Sequence, residues 1–189
     1  MNFKRIGKYV KQAKKLRIVH TEGGQCWIGD GRGMWLVDES VEVNEKNAAC
    51  LLDIDHDKYL SIDVMEGTAL TEMWGETEKY PDEIEMHPVG SIITGDEQVE
   101  ILKPEDCERI ILVPTEYARD AVKSDEERKY YAAGTDRNRC IAVTHGMNVK
   151  MLLTPLNHEK TKAVIKSMEI LGRMSPEIRP NDPEEIGEE

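Results

Sequence analysis

Aromatic residues are scarce, 5% of the 189 residues with a single phenylalanine, so the core must be built mainly from aliphatic side chains. Cysteine is scarce as well. Cys26, Cys50, Cys107 and Cys140 lie far apart with no CxxC pair, which argues against a zinc site or a disulfide framework and for a reducing, cytoplasmic setting. No apolar run approaches the roughly 18 residues needed to span a bilayer, and the charged N-terminus does not read as a signal peptide. No membrane association is therefore expected. The five histidines form no HxH or HExxH pair, and no serine sits in a G-x-S-x-G elbow. Without a nucleophile and base in register, the chain is expected to bind rather than to catalyse, and to need no cofactor.

What is present is charge, unevenly placed. The net charge is −12, which usually argues against a polyanionic partner. Yet residues 1 to 17 hold Lys4, Arg5, Lys8, Lys11, Lys14, Lys15 and Arg17 and no acid. From Phe3 to Leu16 the apolar residues Phe3, Ile6, Val10 and Ala13 recur at helical spacing, with Tyr9 and Leu16 widening the stripe. At about 100° per residue, Lys4, Lys8, Lys11 and Lys15 fall together on the opposite side. A row of like charges costs a few tenths of a kcal/mol per i,i+4 pair, which an anionic partner would relieve. A solvated lysine face is the plainer alternative.

Strands are expected at Arg17–Thr21, Gln25–Ile28 and Met34–Val43, with turns at Glu22–Gly24 and around Gly31. A three-residue loop centred on Gly31 would place Cys26, Ile28, Met34 and Leu36 on one face, and Trp27, Trp35 and Val37 on the other. Trp27 and Trp35 then become a candidate packing or oligomer interface, or less plausibly a platform for bases. Gly29-Asp30-Gly31-Arg32-Gly33 opens into a strand and not a helix, so it reads as a hairpin turn and not a phosphate loop.

Residues 44–52 read as a short helix or a turn, 58–64 as a strand, and 66–94 as a long excursion with turns at Tyr80-Pro81-Asp82 and His87-Pro88. Strands are expected again at 99–102 and 109–113. Thr115 should cap a helix carrying Tyr117, Ala121 and Val122 inward. Asp125, Glu126 and Glu127 should start another helical turn reaching Tyr131. Strands 140–144 and 149–153 flank a His145-Gly146-Met147-Asn148 hairpin, so the second half repeats the helix-then-hairpin order of the first. Ala163, Ile165, Met168 and Leu171 suggest a closing helix near 158–172, and the Pro- and Glu-rich end from Ser175 a disordered tail.

Asp53, Asp55 and Asp57 alternate like the first ligands of a calcium loop, but Lys58 and Val64 occupy the positions that need Gly and Glu. With His56 they remain weak candidates for a divalent metal, and so for a metal-dependent hydrolase, beside the simpler reading as a hydrated acidic turn.

Four stretches resemble the bacterial sliding clamp, the β subunit of DNA polymerase III: MNFKRIGKYVKQAKKL, CWIGDGRGMWLVD, EKYPDEIEMHP, and VPTEYARDAVK followed by CIAVTHGMNVKMLLTPLN. The resemblance covers about half the chain. It implies an α+β fold of antiparallel sheets with amphipathic helices packed on one face and clamp-like repeated subdomains. The expected division is a clamp-like domain at 1–98, a second subdomain at 99–157, a closing helix at 158–174 and an acidic tail at 175–189.

The resemblance further implies a homo-oligomer around duplex DNA, with Lys4, Lys8, Lys11, Lys15 and Arg17 on backbone phosphates and a replication protein as a further partner. A phage or mobile-element accessory factor would suit the small size. Clamp protomers have three domains where this chain has room for two, and its second half adds only Arg119 and Lys123 as inward cations. The alternative is a protein- or RNA-binding module in which the basic helix meets an acidic protein or RNA and nothing is encircled.

Overall fold

A computed structural model describes residues 2–55, 60–67, 84–95, 97–104, 110–124, 126–133 and 140–156, together with Lys162 and Lys166. Residues 1–156 form one compact unit and 157–189 a second. Within the second unit only Lys162 and Lys166 are described, both helical. The remainder of the expected closing helix, and the expected tail, lie outside the described residues.

The first unit is α+β. Helix α1 (Phe3–Ala13) starts at Asn2, whose side chain accepts from the Arg5 amide, and stops at Lys14, where φ of 54° turns the chain out of the helix. Strands β1 (Lys15–His20), β2 (Cys26–Gly29) and β3 (Gly33–Leu36) follow, then α2 (Glu45–Leu51), closed at its start by a reciprocal Asn44–Asn47 capping box, and β4 (Ser61–Glu66). Next come β5 (Ile84–Thr94), β6 (Glu97–Pro104), β7 (Ile111–Pro114), α3 (Thr115–Ala121), β8 (Arg128–Ala133), β9 (Cys140–His145) and β10 (Asn148–Leu153).

The ten described strands belong to one mixed sheet, ordered β4-β1-β2-β3-β10-β9-β8-β5-β6-β7, in which, among the described residues, only the β1–β4 pair is parallel. The two halves of the chain thus share a single sheet, joined by antiparallel pairing of β3 and β10. The boundary expected at residue 98 falls inside β6, which pairs with β5 along the hairpin.

Within this order β1-β2-β3-β10-β9-β8 is a palindrome. An α1-β1-β2-β3 unit meets an α3-β8-β9-β10 unit across the β3–β10 seam, and that seam is antiparallel, as a local two-fold axis requires.

Side-chain alternation sorts the sheet into two faces. Leu16, Ile18, Ile28, Trp35, Tyr130, Ile141, Val143, Met151 and Leu153 join the main core with Ile6, Tyr9 and Val10 of α1, Ala48 and Leu52 of the α2 end, and Tyr117, Ala118 and Val122 of α3. The three described helices of the first unit therefore lie on one face of the sheet. Val19, Trp27, Cys140, Ala142 and Leu152 form a smaller cluster on the opposite face.

Several expectations need correction. Gly29 lies opposite Met34, not Gly33, so the β2–β3 connection has one more residue than expected. A one-residue slip exchanges the faces. Ile28 and Trp35 share the helix-covered side, while Trp27 lies with Met34 and Leu36 on the other. His87-Pro88 is not a turn but part of β5, where a bulge between Pro88 and Gly90 absorbs the proline. The segment before Tyr131 is strand β8 and not a helical turn: its partners β9 and β5 supply backbone bonds that override the acidic start. Thr115 is the first residue of α3 and does not cap it; Pro114 precedes the helix with no side-chain cap.

Candidate nucleic-acid interface

The basic face is built on α1, which lies between the other two described helices of the first unit. On one flank Gly7 lies against the end of α2, so close that a Cβ there would sit 2.2 Å from the Leu52 carbonyl oxygen. On the other flank α1 meets α3. Arg5 pairs with Asp120, the Lys8 Nζ lies 3.4 Å from Glu116, and the Tyr9 hydroxyl donates to Asp120 at 2.8 Å. Of the two ion pairs, Arg5 near the start of α1 meets Asp120 near the end of α3, and Lys8 one turn on meets Glu116 near its start, so the helices run antiparallel.

Beneath them the rings of Tyr9, Tyr117 and Trp35 stack with centroids 4.0 to 5.7 Å apart. Each such pair contributes about 0.5–1.5 kcal/mol beyond the area it buries. Burial raises the Tyr9 and Tyr117 hydroxyls well above the ordinary tyrosine range, and their carboxylate acceptors Asp120 and Asp30 reinforce this.

With its flanks occupied, α1 leaves Lys4, Lys8 and Lys11 facing outward and exposed. Beside them, α3 exposes Glu116 and Arg119, and Lys123 follows its end. Among the described residues Lys4, Lys11, Arg119 and Lys123 have no acidic partner within ion-pair distance. The Lys8–Glu116 pair is solvent-exposed on both sides and holds the helices together only weakly. The exposed face thus carries Lys4, Lys8, Lys11, Arg119 and Lys123 beside the single acidic Glu116.

The four lysines expected in one row, and Arg17 expected to join them on DNA, are divided. The helix ends at Lys14, so Lys15 and Arg17 belong to β1, where alternation turns them to the face opposite the helices, alongside Val19. Both contact Asp63 on β4, Lys15 at 3.0 Å and Arg17 at 3.8 Å. The Lys15 hydrogen bond, with the charges of Lys15 and Arg17, holds the Asp63 carboxyl below its usual range. These two cations cannot join Lys4, Lys8 and Lys11 on one ligand surface.

Trp27 and Trp35 do not form a joint interface either. They occupy opposite faces, and both are buried. Asp53 and Asp55 are exposed at the end of α2, His56 and Asp57 lie outside the described residues, and no group of three potential metal ligands occurs among the described residues.

The hydrogen-bonding role of Asp30 was not foreseen. It is 8% exposed and accepts from the Arg32 and Gly33 amides, each at 2.9 Å, and from the Tyr117 hydroxyl at 2.7 Å. The Asp-Gly dipeptide marks the turn in the sequence, but the link to Tyr117, 87 residues away, leaves no local signal. The α1–α3 braces left a faint one: Glu116 and Asp120 stand four apart, facing the basic spacing of Arg5 and Lys8.

Comparison with protein-family models, with curated proteins and with solved structures finds no match.

Proposed function

We propose that this protein is a non-catalytic, clamp-like factor that holds duplex DNA by its backbone through the exposed face of the α1/α3 helix pair. The observation that carries this reading is the pairing of two antiparallel helices, each leading a three-strand unit on either side of the β3–β10 seam, with Lys4, Lys8, Lys11 and Arg119 exposed on them and Lys123 just past the end of α3. In a chain of net charge −12, such a face attracts a polyanion locally while the rest of the surface repels it, which favours shallow, sequence-independent contact. Lys15 and Arg17 take no part.

The test is fluorescence anisotropy of a labelled duplex titrated with protein across a salt series. Five phosphate contacts predict a slope of log K against log salt of about −4.5. Changing Lys4→Glu together with Lys11→Glu, neither of which is ion-paired, should weaken binding at least roughly tenfold and reduce the slope by about 2. Failure of the wild-type protein to bind duplex at low salt overturns the reading and leaves the face to an acidic protein or to RNA.

A further inference from the structure

The β5–β6 hairpin extends past the rest of the sheet. Strand β5 pairs with β8 only through Ile84, Glu85 and Met86, whereas its pairing with β6 continues to Thr94 opposite Glu97. Beyond Met86, the edge of β5 that faces away from β6 has no strand partner among the described residues. Two residues separate Thr94 from Glu97, so the pair closing the hairpin exchanges its bonds inward, and by alternation the N–H and C=O groups of Ser91 and Ile93 point outward.

Proteins normally guard such an edge with charge. Here Pro88 to Thr94 carries none, in a chain that is 33% charged. Pro88 and the bulge block the end nearest the sheet, and the guard stops there. Past them, Val89 is 58% and Ile93 78% exposed.

The geometry points to a second copy of this chain as the occupant of that edge, with β5 pairing antiparallel to its own counterpart about a two-fold axis at Ser91. This register sets Ser91 opposite the partner's Ser91 and Val89 opposite the partner's Ile93, so each exposed aliphatic side chain covers another. Shifting the axis by one residue, to Ile92, would set Val89 against Gly95 and lose that contact. The outward polar groups of Ser91 fit a hydrogen-bonded pair at the axis. Because the run is uncharged, two molecules of net charge −12 can approach here without bringing like charges together at the contact. The interface is isologous and ends at two chains. A contact made by one short strand from each copy is small, which places it in the weak, concentration-dependent class. This inference does not rest on the DNA-binding reading, since it uses none of the α1/α3 cations.

Sedimentation velocity from about 1 to 200 µM should show a monomer passing to a dimer, the range expected of a small interface. Ile93→Lys should move that transition at least roughly tenfold higher in concentration, because it places an ammonium group opposite Val89. The register is read by cross-linking. In the full chain, Ser91→Cys should yield a disulfide-linked dimer under mild oxidation, since paired α-carbons about 5.5 Å apart lie within disulfide reach. A short bis-maleimide gives the same readout if the dihedral is unfavourable. Val89→Cys alone should not self-link, but mixed with Ile93→Cys it should form the hetero-linked dimer. The wild-type chain, with its exposed Cys50, sets the background. A monomer at every concentration overturns the proposal, as does a Ser91→Cys chain that links no more than wild type.

Discussion

Asp30 shows how one side chain can join distant parts of the chain. Its carboxylate satisfies two amides of its own turn and the hydroxyl of Tyr117 on α3, so removing it strands three donors in a buried site. Each unsatisfied buried donor costs about 1–3 kcal/mol, with partial relief from water. Asp30→Ala is expected to destabilise the fold by about 3 kcal/mol in urea denaturation, and Asp30→Asn by less, because an amide oxygen still serves the turn. The tyrosines set a pH limit. Tyr9, Tyr117 and Tyr130 are all raised, primarily by burial and then by carboxylate neighbours. A folded value above the unfolded one means the folded state retains the proton. That stability is fully present below the unfolded value near 10 and is lost progressively as pH rises from there toward the raised folded values. Thermal melting should therefore fall steeply above about pH 10, with a limiting slope near 4 kcal/mol per pH unit if all three titrate on unfolding. Tyr9→Phe should flatten it. An unchanged melting temperature at pH 11 would contradict this account.

At the scale of elements, α1 is held where it is by the absence of a side chain. Ala is about 1 kcal/mol better than Gly in a helix interior, so propensity alone predicts that Gly7→Ala stabilises. The close approach to the Leu52 backbone predicts the reverse, because a Cβ would overlap an atom that cannot rotate away. We expect Gly7→Ala to destabilise by about 2 kcal/mol, within the range for overpacking, as measured by the urea midpoint. The same contrast between local and distant information governs what could be read from the sequence. The core of α1, the place of the β2–β3 turn though not its length, and the β9–β10 hairpin were legible, because Gly and periodicity act over a few positions; 44–52 was legible only as a short helix or a turn. Strand β5 was not, because Pro88 and Gly90 imitate loop chemistry and only β6 and the bulge accommodate them. Nor was β8, whose acidic lead-in resembles a helix start until β9 and β5 supply its ladder. For the candidate site, Lys4, Lys8 and Lys11 were legible from the helical period. The exclusion of Lys15 and Arg17 was not, because it depends on the chain leaving the helix at Lys14, a non-glycine residue in a left-handed conformation.

For the molecule as a whole, the shared sheet means that residues 1–98 are not expected to fold alone. Their strand β3 finds its second neighbour only in β10, and β5 its neighbours in β6 and β8. Far-UV circular dichroism and tryptophan fluorescence of residues 1–156 should lose structure in one coincident transition. Two separated transitions, or a folded 1–98 fragment, would show that the β3–β10 seam is not cooperative.

That seam also bears on how the protein is made. Trp35 and Met151 pair directly although they lie 116 positions apart in sequence, so the central ladder cannot close until nearly all of the first unit has left the ribosome. Until then the Met34 and Trp35 edge is an open apolar template in a nascent chain. Slow translation upstream of β10 would prolong that exposure, so yield in the cell should depend on synthesis rate and on chaperone supply more than the stability of the finished fold would suggest.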